Sequence, residues 1–263
     1  AMDGTAHPLL GMPGYWETLG ELEPKKRVAA MQDPVVKAKC LAGEPNDLGE
    51  FGNLVTRTFH RMFPVSGELD YEPTPDRSVA AIAKAKGLSP LEVAYDHLPA
   101  GGFLYFPLFG YSYGDLSPAH RLHGSARTKM GLGDAGAHCG AVCDGGMPTF
   151  MLTHWTRDRS GGRFPIEYIV RRQTRETAEL FGLHDRGLIA PGFKADLNVI
   201  DYDNLRLAPA RMAYDLPAGG RRLLQEAKGY IATICSGVVV SENDAPTGAM
   251  PGKLVRGAQP RPA

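Results

Sequence analysis

Apolar and polar positions in the first hundred residues follow helical spacing, interrupted at proline. Residues 22 to 41, LEPKKRVAAMQDPVVKAKCL, contain helical sequence that breaks and restarts at Asp33 and Pro34. This pair is an N-cap residue followed by proline at the first helical position. In SPLEVAYDHL, Ser89 and Glu92 have the spacing of a capping box. The pattern predicts a helix on each side of Asp33 and another that begins at Ser89.

Two short segments between the helical stretches have the pattern of buried strands. GGFLYFPLFG, residues 101 to 110, is a continuous apolar run bounded by glycine, and TKMGLGD forms a second unit that ends at Asp134. The order helix, strand, helix, strand indicates a parallel β/α architecture. We therefore expect adjacent or near-adjacent parallel strands near 103 to 108 and 128 to 133. Asp134 would then lie at the carboxyl end of a strand, where such folds carry their reactive groups.

The pattern changes in the last third of the chain. FPIEYIVRRQTRETAELFGL has a rough helical face, and Gly182 is placed to cap the helix at its C-terminus. GFKADLNVIDYD and GYIATICSGVVVSEN then alternate or run apolar with β-branched residues, which predicts antiparallel strands. We place a domain boundary near Pro191, which gives domains of residues 1–190 and 191–263.

Composition and charge narrow the classes of partner. Lys plus Arg and Asp plus Glu both number 29, so the formal net charge of zero argues against nucleic acid or anionic lipid as a partner. No apolar run approaches the roughly 20 residues that span a bilayer, and no secretory leader is recognised. The four cysteines do not have the spacing of a disulfide framework. These features predict a cytoplasmic protein that acts on a small molecule or binds a protein partner.

Several motifs resemble one family when they are taken in chain order. They are RVAAMQDPVVKAK, YEPTPDRSVAAIA, GLGDAGAH, LTHWTRDR, RRQTRETAELFGLHDRGLIAPGFKADLNVID, YDLPAGGRRLLQ and TGAMPGKLVRG. Together they are similar to the carboxy-terminal half of the N-acyl-D-amino-acid deacylases of the amidohydrolase superfamily. The resemblance implies an α/β fold, namely the C-terminal portion of a metal-dependent (β/α)8 barrel plus part of a small β-sandwich.

The same resemblance implies zinc and a substrate with an N-acyl amide bond. In the family most zinc ligands lie upstream of the region matched here, and the eight histidines of this chain include no His-x-His pair. We therefore expect this chain to be incomplete as an enzyme. It would be part of a longer protein, associate with a separate amino-terminal half, or self-associate.

Asp134 is the principal candidate for catalysis and for metal contact. The resemblance aligns it with the aspartate at the end of the family's last barrel strand. A carboxylate there can take a proton from a zinc-bound water as the water attacks the amide, and can return that proton to the departing nitrogen. Gly133, Ala135 and Gly136 beside it leave room for substrate. The alternative is an acid that only stabilises a turn or caps a helix.

His138 and Arg157 are the candidates for substrate binding. His138 either orients Asp134 or the substrate, or holds the turn through a hydrogen bond. Arg157, like Arg159, either binds a substrate carboxylate through paired hydrogen bonds or forms ion pairs around Asp158. Trp155 is expected in the core rather than under the substrate.

The remaining histidines and cysteines that could bind a metal are not assigned to a metal site. His120 and His123 are spaced three residues apart in a helical stretch, and we expect both at the surface. Cys139 and Cys143 lie in a glycine- and alanine-rich turn without a second pair of ligands, so structural thiols are favoured over zinc ligation.

Two classes of function remain open. One is an amidohydrolase or its catalytic portion. The other is a non-catalytic fragment or subunit whose exposed barrel edge is an association surface, since unpaired strand edges bind other strands.

Overall fold

A computed structural model describes residues 6–100, 102–136 and 139–262 and shows a mixture of helices and short strands. These residues divide into two compact units. Unit 1 contains the described residues of Ala1–Ala119, Gly136–Val142 and Arg211–Leu224. Unit 2 contains those of His120–Ala135, Cys143–Ala210 and Gln225–Ala263.

The regular elements are as follows in chain order. The α-helices are α1 (Pro13–Leu19), α2 (Pro24–Ala30), α3 (Pro34–Cys40), α4 (Gly49–Arg57), α5 (Val79–Lys86), α6 (Pro90–His97), α7 (Ser117–His123), α8 (Met147–Thr153), α9 (Ile166–Gln173) and α10 (Arg175–Leu180). The strands are β1 (Phe63–Val65), β2 (Phe103–Tyr105), β3 (Leu197–Ile200), β4 (Arg206–Leu207), β5 (Arg211–Leu216), β6 (Gly220–Leu224), β7 (Ala227–Lys228), β8 (Tyr230–Cys235), β9 (Val238–Glu242) and β10 (Ala245–Pro246).

The helix starts predicted from local signals are confirmed. The side chain of Asp33 accepts the Val35 N–H at 2.8 Å, which separates α2 from α3. At α6 the Ser89 hydroxyl accepts the Glu92 N–H at 3.2 Å, and the Glu92 carboxylate accepts the Ser89 N–H at 2.8 Å. Each signal acts within a few residues, so the sequence alone is enough to predict it.

Two clusters of buried side chains form the core of unit 1. The larger cluster comprises Leu9, Met12, Tyr15, Leu19, Met31, Cys40, Tyr95 and Leu98. The smaller comprises Met62, Val79, Ala83 and Val93. The helices α1, α3 and α6 therefore bury their apolar faces against one another, which supplies the hydrophobic stabilisation of this unit.

The predicted parallel strands near 103 to 108 and 128 to 133 are wrong. Strand β2 covers only Phe103–Tyr105 and pairs antiparallel with β1, and residues 128 to 133 form no strand. Pro107 lacks the N–H that a strand ladder needs, and Gly131 and Gly133 disfavour an extended ladder. All strand ladders among the described residues are antiparallel.

The antiparallel strands predicted after residue 191 are confirmed. In unit 2, β10, β9, β8 and β3 form a four-stranded sheet in that order, and β4 pairs with β7. Strands β5 and β6 pair with each other in unit 1. The domain boundary near Pro191 stays a prediction.

The predicted helix over residues 164 to 183 is present in two parts. Thr174 has φ −114° and ψ −88°, and this non-helical conformation separates α9 from α10. Gly182 has φ +70°, and the N–H groups of Gly182 and Leu183 donate to the carbonyls of Glu179 and Ala178. Gly182 therefore acts as the predicted C-terminal cap, in a conformation that glycine adopts without strain.

The described helices include none that is both long enough and apolar enough to cross a membrane.

His7 provides a test of how pH acts on unit 1. Its side chain is buried and packs edge-on against Tyr15, with ring centroids 5.4 Å apart. Burial is the largest cause that lowers the pKa of His7 from 6.5 to about 3, and positive charges that include Arg27 and Arg221 contribute in the same direction. Because the folded state resists protonation, the stability present above pH 6.5 is lost as the pH falls toward 3.

As the pH falls within this window, we expect protonation of His7 in the unfolded chain to lower the free energy of unfolding by up to about 1.4 kcal/mol per pH unit. The measurement is denaturant unfolding between pH 7 and pH 4, for the wild type and for His7→Gln. The variant should lose less stability on acidification because its side chain does not titrate. Parallel losses in the two proteins would contradict a buried, neutral His7.

Candidate functional site

Asp134 lies in an irregular segment of unit 2, residues 130–135, which we name the Asp134 loop. Asp134 is exposed, and residues 128 to 133 directly before it form no strand. The expectation that Asp134 ends a buried strand is therefore wrong, because Gly131 and Gly133 disfavour an extended ladder in the residues before it.

The residues before the loop are attached to α9 and α10. Arg172, which is buried, donates from Nη2 to the carbonyl of Thr128 at 2.8 Å. Lys129 forms an ion pair with Glu176 at 3.0 Å. The Asp134 loop therefore begins from a position fixed by side chains of two helices.

The backbone of Asp134 makes two hydrogen bonds with one residue, Asp144. The Asp134 N–H donates to Oδ2 of Asp144 at 3.2 Å, and the Asp144 N–H donates to the Asp134 carbonyl at 3.1 Å. A Cβ built on Gly133 would lie 2.9 Å from the carbonyl oxygen of Asp144, closer than real contacts allow. Glycine at 133 is thus needed for the approach of the two segments.

Asp144 is itself attached to the start of α8. Its carbonyl accepts the Met147 N–H at 2.9 Å. Helix α8 is fixed in unit 2 by buried residues that include Thr149 and Met151, and the Thr149 hydroxyl lies 2.8 Å from the Tyr230 hydroxyl on β8. Asp144 was not predicted as a functional residue from the sequence. The available signal was its place in DGGMP, just before a helix with proline in its first turn.

Arg157 is engaged within the chain. Its Nε and Nη2 donate to the carboxylate of Asp158 at 2.6 and 3.1 Å, and Nη2 also donates to the Leu205 carbonyl at 2.7 Å. Its Nη1 donates to the Tyr202 carbonyl. The structure thus contains the ion pair with Asp158 that the sequence offered as the alternative, while a role in substrate binding stays a prediction. His138 lies outside the described residues, and its proposed role also stays a prediction.

Trp155 lies in the core of unit 2, as predicted, and is only 1% exposed. Arg159 is also buried, and its guanidinium lies over the Trp155 ring at 5.2 Å. Its Nη1 donates to the Gly162 carbonyl at 2.8 Å. These contacts give Arg159 a structural role beside the tryptophan.

The expectation that His120 and His123 lie at the surface is wrong. His120 stacks on Phe164 with centroids 4.3 Å apart, and His123 meets the Trp155 ring edge-on at 5.3 Å. Burial lowers the pKa of His123 below its ordinary value. The aromatic partners lie more than 30 residues away along the chain, so helical spacing alone did not indicate them.

The described residues contain no cluster of three or more His, Cys, Asp or Glu side chains arranged to hold a metal ion. Cys40, Cys139, Cys143 and Cys235 are all described, and no disulfide joins any of them. A zinc site requires three or four convergent ligands. The described part of the chain therefore does not fit a zinc site by itself.

Comparisons with known proteins identify relatives that are longer than this chain. Adenine deaminase 1 of Rhizobium johnstonii is 34% identical over 116 residues, which cover 40% of this chain and 20% of the deaminase. A crystal structure of D-aminoacylase shares 26% identity over 66% of this chain and 33% of its own, with a TM-score of 0.35. A D-aminoacylase structure concerned with the enzyme's binuclear metal center shares 24% identity over 72% and 36%, with the same TM-score.

This chain thus spans about a fifth of the deaminase and about a third of the D-aminoacylase chains. The family profile gives the broader match, because it extends over residues 4–241, most of the sequence. The chain belongs to the amidohydrolase family.

Proposed function

We propose that this chain is the carboxy-terminal part of a zinc-dependent hydrolase that cleaves the amide bond of N-acyl-D-amino acids or of similar N-acyl compounds. The observation that carries the proposal is the exposed carboxylate of Asp134, held between small residues in a family motif. Membership of the amidohydrolase family and the order of the motifs along the chain support it.

Asp134 would act as the proton carrier of the reaction. Its carboxylate takes a proton from the attacking water as oxygen bonds to the amide carbon, and it returns that proton to the nitrogen as the C–N bond breaks. The side chains next to Asp134 are small, because Gly133 and Ala135 flank it. A substrate carbonyl and a water can therefore approach the carboxylate without displacing a bulky neighbour.

Zinc, when bound, would supply a Lewis acid to the reaction. The described residues do not supply its ligand set, so the proposal places the other ligands on an amino-terminal part of the enzyme. The proposed contact of Asp134 with zinc rests on the resemblance alone. Binding of a substrate carboxylate by Arg157 would require the guanidinium to give up its hydrogen bonds to Asp158.

The alternative function is a non-catalytic subunit that associates with a separate metal-binding half. On either interpretation, large apolar side chains that are almost fully exposed are available for contacts with a partner. In unit 2 these include Leu132, Ile189 and Met250, which are 98%, 86% and 94% exposed.

We expect the isolated chain to bind no stoichiometric zinc at micromolar or tighter affinity, because one exposed carboxylate does not supply three convergent ligands. The measurement is elemental analysis after chelator treatment, reloading with zinc and dialysis. One tightly held zinc per chain would show that the chain contains a metal site of its own.

We expect Asp134→Asn to abolish most turnover in the complete enzyme while folding survives, because the amide keeps the shape of the side chain but cannot accept the proton. Acid and base groups typically contribute on the order of 10²- to 10⁴-fold, and a residue that serves both steps should lie near the upper end. The measurement is hydrolysis of N-acyl-D-amino acids at matched zinc occupancy and melting temperature.

Asp196→Asn is the matched control for this experiment. Asp196 is another exposed aspartate of unit 2, and its carboxylate accepts the Ser236 N–H at 2.8 Å. The control should keep wild-type turnover. If Asp134→Asn retained more than about a tenth of the activity, Asp134 would be a turn residue and not the proton carrier.

A further inference from the structure

We propose that Asp144 is a positioning residue for Asp134, holding the backbone that carries the catalytic carboxylate without touching the reacting atoms. The catalytic role of Asp134 in this inference rests on the proposed function. The statement that Asp144 fixes the Asp134 loop rests on geometry alone.

The two hydrogen bonds constrain both backbone torsions of Asp134. Its N–H and its C=O lie on opposite sides of the Cα, and both are engaged by Asp144. The N–H restrains rotation about φ and the carbonyl restrains rotation about ψ, so the direction of the Cα–Cβ bond is set. The starting point of the side chain is thereby fixed, and the carboxylate can occupy only the positions that rotation about χ1 and χ2 allows from it.

The rest of the Asp134 loop offers no substitute for these bonds. Within the described chain, the hydrogen bonds of residues 130–135 are the two that join Asp134 to Asp144. The loop contains two glycines, whose backbone is the most freely rotating of all residues. Loss of the Asp144 carboxylate would therefore release the loop on the N-terminal side of Asp134.

Asp144 suits this role because its own position is fixed. Its carbonyl accepts from Met147 in the first turn of α8, and α8 is held by buried side chains and by the contact between Thr149 and Tyr230. Asp144 thus connects the Asp134 loop to a packed helix. An ionised carboxylate is also a stronger acceptor of an N–H than a neutral oxygen.

The close packing at Gly133 is a second sign that the loop and Asp144 form one unit. A Cβ at Gly133 would meet the carbonyl oxygen of Asp144 at 2.9 Å and its Cβ at 3.2 Å. Both atoms belong to the backbone or to the base of the side chain, so neither can swing away. The segments must separate if residue 133 acquires a side chain.

The first experiment measures amide hydrogen exchange in the 263-residue chain and needs no activity. Asp144→Ala should accelerate exchange of the Asp134 amide about tenfold, as expected when a bond worth about 1.4 kcal/mol is lost. Asp144→Asn keeps an acceptor oxygen and should restore most of the protection. Wild-type exchange at Asp134 in Asp144→Ala would overturn the proposal.

Asp196→Ala is the control for the exchange experiment, because it removes a carboxylate that accepts a backbone N–H elsewhere in unit 2. It should accelerate exchange at Ser236 and leave Asp134 unchanged. Accelerated exchange at Asp134 in this control would show that loop opening reflects general loosening, and it would also overturn the proposal.

The second experiment measures kinetics in the complete enzyme. Asp144→Ala should lower kcat by about 10- to 100-fold and leave KM within about twofold, because a misplaced base impairs the chemical step more than binding. Asp144→Asn should recover most of kcat. The double variant with Asp134→Asn should be no slower than Asp134→Asn alone, since Asp144 acts through Asp134.

Failure of this inference differs from failure of the proposed function. Multiplicative losses in the double variant would mean that Asp144 acts independently of Asp134, which overturns the positioning role. A complete wild-type enzyme that hydrolyses no N-acyl substrate would contradict the proposed function. The exchange experiment would still decide whether Asp144 holds the Asp134 loop.

Discussion

Burial of the Trp155 side chain is the interaction on which the packing of unit 2 depends. A large aromatic side chain such as tryptophan removes about 150 to 250 Å² from water when it is buried, so several neighbours must pack around it. The rings of His120 and His123 of α7 and of Phe164 have centroids 5.8, 5.3 and 6.4 Å from that of Trp155. Phe150 of α8 and His154, which follows α8, have centroids 6.2 and 5.0 Å from it. The indole therefore joins segments that are distant in sequence.

The same constraint determines what the polar residues beside Trp155 do. Arg159 lies over the indole and is buried, whereas Arg157 turns toward Asp158 and the carbonyls near Tyr202. A motif rich in arginine and histidine suggests ligand binding when it is examined as sequence. In the folded chain much of that polar character covers an aromatic side chain or satisfies backbone carbonyls, both of which are common roles for arginine.

Local features of the fold were predictable, and non-local ones were not. The caps at Asp33, Ser89 and Gly182 depend on a few neighbouring residues, so their sequence signals were sufficient. The strand predicted at 128 to 133 failed because a short apolar run does not determine its partner, and glycine weakened it further. Asp134 could be identified from a motif. Its partner Asp144 is ten residues away in sequence, and the sequence does not determine which residue the Asp134 backbone contacts.

An irregular loop places a different demand on a catalytic residue than a strand would. In a sheet, hydrogen bonds to the neighbouring strands fix the backbone. Loss of one of these bonds leaves many others in place. Here Asp134 depends on a single partner, and ordering each loop residue opposes folding by about 1 to 2 kcal/mol, while a typical hydrogen bond returns about 1 kcal/mol. Two bonds cannot offset the ordering of residues 130–135 by themselves. The position of the carboxylate therefore also depends on packed segments next to the loop. Arg172 of α9 anchors Thr128 before the loop, and Asp144 is attached to the start of α8.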